Sequence, residues 1–149
     1  DQKYKTLLNV AVPAGMWQKM DDIICNDEDR MFLRKIRKDY KNLVRNIWNP
    51  FDKTHEGILG CTTVNRLYIT PIGDVLVCPY VHIKIGNIFK QSLKEIVDFG
   101  FRIKHFRNHS DLCLAGEDKS FIRKFMTKQG QSIFKPADAK EIFSKEDFV

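Results

Sequence analysis

Cys61 and Cys78 stand seventeen positions apart around a Thr70-Pro71-Ile72-Gly73-Asp74 turn, Pro79 follows the second, and Cys113 lies 35 positions further on. Thiolates are soft ligands that select zinc or iron-sulfur clusters. Zinc sites mostly use tight Cys-x2-Cys knuckles, and none occurs here. The spacing therefore leans toward iron-sulfur but leaves zinc open. It also leaves open plain core thiols, because cysteine is among the most buried residue types. With Cys25 the chain has four cysteines in 149 residues, too few for a disulfide-stapled secreted scaffold. A reducing, cytoplasmic compartment is expected.

The elements that must position these thiols can be read from periodicity. Before the first cysteine, "TLLNVAV" (6 to 12) is a short buried-type strand stopped by Pro13 and Gly15. The stretch "NDEDRMFLRKIRKDYKNLVRNIW" carries acids at its start and apolar residues at Phe32, Leu33, Ile36, Tyr40, Leu43, Val44 and Ile47, which predicts a helix of about five turns capped by Asn26. "NPFDKTHEGILG" (49 to 60) is polar and turn-rich, a linker.

Beyond it "RLYIT" and "VLVCP" read as a hairpin. Pro71 suits the second turn position, Gly73 the left-handed closing one, and Cys78 falls opposite Arg66. Ser92 and Glu95 have capping-box spacing for a helix with Leu93, Ile96 and Val97 inward, which Gly100 ends or bends. A further helix spans 117 to 128 with Phe121, Ile122, Phe125 and Met126 inward, and a short one follows Pro136.

The order Cys61, eleven residues, Gly73, four residues, Cys78, then Gly86-Asn87-Ile88 and Ser92-Leu93-x-Glu95-Ile96 closely resembles the SPASM/Twitch auxiliary-cluster domain at the C-terminus of radical S-adenosylmethionine enzymes. The resemblance covers about residues 57 to 126. It implies an auxiliary 4Fe-4S cluster held by Cys61, Cys78 and Cys113, with a parent enzyme that binds S-adenosylmethionine and a second 4Fe-4S cluster.

The parent would modify a peptide or small-molecule substrate by radical chemistry and draw electrons from a donor such as flavodoxin or ferredoxin. Residues 1–48 resemble the last strand and helix of that superfamily's partial β/α barrel, with Ala11 to Gly15 near the cofactor's adenine. The expected organisation is thus α+β: the barrel end (1–48), a linker (49–60), the cluster domain (61–128) and a tail (129–149).

Two departures matter. No Cys-x3-Cys-x2-Cys motif is present, so the chain is not expected to be active alone. Gly116 stands where related domains place a further cysteine, which leaves the fourth iron open or ligated by Asp111, Glu117, a histidine, substrate or water. His82, close to Cys78, is the histidine nearest to such a role, although core hydrogen bonding explains it more simply. Cys25 falls outside the motif.

Apolar content of 43% with 30% charged residues is ordinary for a globular protein. There is neither a membrane-length apolar run nor a signal-peptide pattern. Because the chain starts with Asp ahead of an apolar stretch, a fragment of a longer protein is expected. The net charge of +6 is spread out, and its densest part, residues 34 to 45, interleaves apolar residues at helical spacing. That reads as a solvated helix face rather than a nucleic-acid surface. The rival functions are a stand-alone zinc or iron-sulfur module and a basic nucleic-acid-binding domain.

Overall fold

The computed structural model describes residues 6–7, 11–13, 17, 20–40, 44–45, 61, 63–64, 66–108, 110, 112–126 and 135–149. The linker at 49–60 lies outside them, as do His55, His109 and Asp111. The chain forms two compact units, one of residues 1–61 with 110–119, the other of residues 62–109 with 120–149.

In the first unit β1 (Thr6–Leu7) pairs in parallel with β2 (Val44–Arg45), and α1 (Asp27–Asp39) lies between them in sequence. The start of α1 follows from its residues. Asn26 accepts the Asp29 N–H at 2.9 Å while the Asp29 carboxylate accepts the Asn26 N–H at 2.9 Å, a reciprocal cap. Its end corrects the sequence reading, which carried the helix to Trp48. Tyr40 closes the helix, and β-branched Val44 enters the parallel pair opposite Thr6. Tertiary pairing overrides helical periodicity there. None of the residues of α1 is buried, and Met31 and Phe32 are 66% and 63% exposed.

The second unit holds a sheet in the order β3 (Tyr68–Ile69), β4 (Asp74–Leu76), β5 (Ile83–Asn87), β6 (Ala137–Asp138), antiparallel except between β5 and β6. The hairpin forms in the expected register, with Tyr68 opposite Leu76 and Ile69 opposite Val75. Gly73 takes φ of 81° and donates to the Thr70 carbonyl, while the Thr70 hydroxyl accepts the Asp74 N–H at 3.0 Å. On β5 Ile83 and Ile85 are buried, each worth about 1.5–3 kcal/mol of apolar burial.

Against β5 packs α2 (Leu93–Arg102), started by the Ser92–Glu95 capping box. Ile96 faces inward, but Leu93 is 52% exposed, a correction to the expected face. Gly100 does not end the helix. It is buried, and a side chain there would meet Ile85 and Val64. The break comes at Ile103, after which α3 (Lys104–Arg107) begins.

Phe121, Ile122, Phe125 and Met126 are buried as expected, although the element is a short α4 (Lys119–Phe121) running into a π-helical turn (Ile122–Met126). A short α5 (Ala139–Ile142) follows Pro136. Phe106, Phe121, Phe125 and Phe143 pack ring on ring, with centroids 4.8 to 6.1 Å apart. The whole is an α+β arrangement, and among the described residues no helix is long and apolar enough to cross a membrane.

Candidate metal centre

None of the four cysteines is in a disulfide. Cys61 and Cys113 fall in the first unit, each 9% exposed, and half-buried Cys78 falls in the second. Ser110 ties the first two segments together. Its carbonyl accepts the Cys61 N–H at 2.8 Å and its hydroxyl accepts the Leu112 N–H at 3.3 Å. Cys61 therefore starts its segment pinned three residues ahead of Cys113.

The Cys113 carbonyl accepts the N–H groups of Gly116, Glu117 and Asp118 at 2.8 to 3.2 Å, so the chain wraps into a tight turn. Within that turn the Glu117 side chain, 2% exposed, accepts the Cys113 N–H at 3.0 Å. A buried carboxylate is costly unless hydrogen-bonded, and this bond is part of what offsets the cost. Glu117, one of the candidate fourth ligands, is thus engaged with the Cys113 backbone.

Val64 has φ of 63°, and Thr63 bridges Arg66. A β-branched residue in the left-handed region is an outlier that costs about 1–3 kcal/mol. Burial of Val64, at 4% exposure and packed toward Gly100, holds it there. The sequence led to the expectation that Cys61 folds back through Thr62 to Asn65. Thr62 and Asn65 lie outside the described residues, and the strain at Val64 is what the sequence did not reveal.

At the other end of the hairpin the paired ladder stops at Leu76. Cys78-Pro79-Tyr80 then turns so that the Tyr80 N–H reaches the Cys78 Sγ at 3.5 Å. An amide aimed at sulfur is a normal feature around cluster-bound cysteines. His82 is half-buried, and its carbonyl accepts the Ala137 N–H at 3.0 Å, which ties β6 to the sheet.

Gly86-Asn87-Ile88 has a structural purpose. A Cβ on Gly86 would stand 2.7 Å from Ile96, so only glycine lets α2 lie directly on β5. The Asn87 amide donates to the Ile72 carbonyl at 2.9 Å and to the Asp74 carboxylate at 3.0 Å, while its oxygen accepts the Phe89 N–H at 2.9 Å. Lys84 adds a 3.4 Å ion pair to the same buried Asp74. The motif holds the turn closed and seats the helix that leads toward Cys113.

Cys25 is half-buried next to the α1 cap. Burial pushes its thiol above the usual range, the carboxylates of Asp29 and Glu117 push the same way, and Arg30 opposes them. A groove of about 260 Å³ beside it is lined by Asn26, Asp27, Arg30, Leu112, Glu117, Asp118 and Lys119.

The donor chemistry fits an iron-sulfur cluster: buried or half-buried thiols, one already receiving an amide, and no disulfide competing for them. Among the described residues no three His, Cys, Asp or Glu side chains gather as a single-ion site would require. Thiolates around one zinc stand about 3.8 Å apart for Zn–S bonds of about 2.3 Å, whereas a multi-iron cluster spreads its ligands over its corners.

Residues 61–117 match the family model of SPASM, an iron-sulfur cluster-binding domain. No curated protein and no solved structure matches the chain.

Proposed function

We propose that this chain, whose residues 61–117 match the SPASM iron-sulfur cluster-binding domain, holds an auxiliary 4Fe-4S cluster through Cys61, Cys78 and Cys113 as the C-terminal part of a radical S-adenosylmethionine enzyme. The observation that carries the reading is that the matched stretch begins on Cys61 and spans Cys78 and Cys113. When bound, such a cluster supplies one-electron transfer and, at an iron without a protein ligand, a Lewis-acidic position for a substrate nitrogen or oxygen.

The residues of the chain do the rest. Cys61, Cys78 and Cys113 would hold the cluster and would release their protons on ligation. The Tyr80 N–H stabilises negative charge on the Cys78 sulfur, and burial of Cys61 and Cys113 keeps water from their sulfurs.

The parent in this reading supplies the S-adenosylmethionine site, a second cluster and a peptide or small-molecule substrate, and receives electrons from a carrier such as flavodoxin or ferredoxin. The parallel β1 and β2 on either side of α1 support the barrel-end part of the reading, since parallel pairs are joined by such crossovers. The uncovered Met31 and Phe32 support it too, because barrel helices carry apolar faces meant for packing.

Anaerobic reconstitution with ferrous iron and sulfide tests the proposal. A brown protein with a broad visible charge-transfer band is expected, with the band lost in Cys61→Ala and Cys78→Ala. A colourless protein that takes up one zinc per chain instead contradicts it.

A further inference from the structure

We propose that the outer edge of β3 docks an extended, acidic polypeptide segment, which adds to the sheet as a further strand beside Tyr68 and Ile69. The inference concerns the second unit alone and needs no cluster, so it goes beyond the reading above.

The open edge follows from the ladder. β3 is the outermost strand in the order β3, β4, β5, β6, and among the described residues no strand lies on its other side. The Thr70 N–H donates to the Asp74 carbonyl at 2.9 Å, so Thr70 directs its backbone toward β4. Successive residues of a strand turn their backbone groups to opposite sides, and facing pairs in an antiparallel ladder alternate between bonded and non-bonded. Ile69, opposite Val75, is therefore a non-bonded position, and its N–H and C=O point away from β4.

Backbone groups turned outward along an edge are a template for another chain, and native edges are commonly blunted by a lysine, a proline or a bulge. Neither residue of β3 is a lysine or a proline. Tyrosine and isoleucine both favour strands, and Tyr68 and Ile69 are 36% and 52% exposed. Thr63 bridges Arg66 just ahead of the strand, and the turn through Gly73 closes its far end. The edge thus fits a short segment.

Charge selects the occupant. From residue 66 to residue 92 the chain carries Arg66, Lys84 and Lys90 against a single acid, Asp74. That acid is buried and engaged by Lys84 and Asn87. An acidic segment is drawn to this end of the sheet, whereas a second copy of the chain brings the same cations against it. Exposed Ile72 and Phe89 stand at the turn, with the Phe89 ring lying on Gly73, and offer apolar contact to side chains of the added strand. In strand addition the main-chain bonds supply affinity and the side-chain contacts supply selectivity.

The test titrates the whole 149-residue chain with a capped peptide, Glu-Thr-Val-Thr-Val-Thr-Glu, and with its analogue in which both glutamates are lysines. Hydrogen exchange of the Ile69 amide, followed by nuclear magnetic resonance, should be fast in the free chain and about tenfold slower or more at saturation with the acidic peptide. At low salt the acidic peptide should bind about tenfold more tightly than the lysine analogue, and the gap should narrow as salt rises. Ile69→Pro removes the outward N–H and leaves the bonded positions Tyr68 and Thr70 in place, so it should keep the fold and lose the peptide.

An Ile69 amide that exchanges slowly without peptide, or whose exchange the peptide leaves unchanged, overturns the inference. So does an Ile69→Pro chain that binds the peptide as tightly as the unaltered one. Equal affinity for the two peptides overturns the acidic partner. Slowing that grows with protein concentration alone, together with a dimer in sedimentation, makes a second copy the occupant and overturns it as well. Exchange is read on the unaltered chain, so it decides even where the proline variant does not fold.

Discussion

Asn87 shows how one side chain can carry the hairpin's geometry. Its amide and oxygen together make three bonds, to Ile72, Asp74 and Phe89, and one of them falls on a carboxylate that is 5% exposed. Asn87→Ala leaves these groups short of partners, which costs about 1–3 kcal/mol. Urea unfolding followed by circular dichroism should show the midpoint fall with little change in slope. An unchanged midpoint would mean that the Asn87 network does not hold the turn.

Asp147 offers a pH test at the same scale. Burial alone raises its carboxyl, but hydrogen bonds from Ser144, Lys124 and His105 outweigh that and hold it well below its ordinary value of 3.8. A carboxyl depressed in the folded state adds stability that is present above its unfolded value and is lost as pH falls toward the folded one. The melting temperature should therefore fall more steeply in the unaltered protein than in Asp147→Asn between about pH 5 and about pH 2. Parallel curves would remove Asp147 from the account.

The legibility of the site also differs residue by residue. Gly73 and the Ser92–Glu95 cap could be read directly, because turn and cap chemistry depend on residue type and local spacing. The Asp147–His105–Lys124 cluster could not, because its members are up to 42 positions apart and no local pattern announces the pairing. Strain at Val64 was equally hidden, since valine signals a strand and only packing forces it into the left-handed region.

Among the elements, β5 and α2 depend on each other through Gly86. A methyl there would stand 2.7 Å from Ile96 and 2.9 Å from the Gln91 side chain. Gly86→Ala should push the helix off the sheet at a cost of about 1–3 kcal/mol. Its melting temperature should drop, while Gly86→Ser should drop it further. A variant as stable as the unaltered chain would show that the helix has room to move.

The hairpin was legible as an element because period-two strands flank a turn with one glycine and one proline. The end of α1 was not. Residues 41 to 47 keep helical spacing of apolar residues, and only the long-range pairing of Val44 with Thr6 decides against it. Its uncovered face was also illegible, because a pattern shows that a helix is amphipathic but not whether anything packs on it.

On the scale of the whole molecule, the chain forms two compact units, with Cys61 and Cys113 in the first and Cys78 in the second. A group that binds the native state stabilises it by mass action, about 2.7 kcal/mol at a hundredfold excess over its dissociation constant. Loading with iron and sulfide should raise the melting temperature, and a chelator should reverse the rise. Unchanged melting would place the thiols outside the fold's energetics. The return of residues 110–119 to the first unit was not legible in sequence, because it crosses a gap of about fifty residues.

Mössbauer spectroscopy of the unaltered chain, reconstituted with enriched iron, tests the central claim most directly. The account predicts overlapping quadrupole doublets of a 4Fe-4S cluster with delocalised valence, absent from the Cys61→Ala, Cys78→Ala, Cys113→Ala triple variant. A spectrum of isolated high-spin iron only, or one that survives in the triple variant, would contradict it.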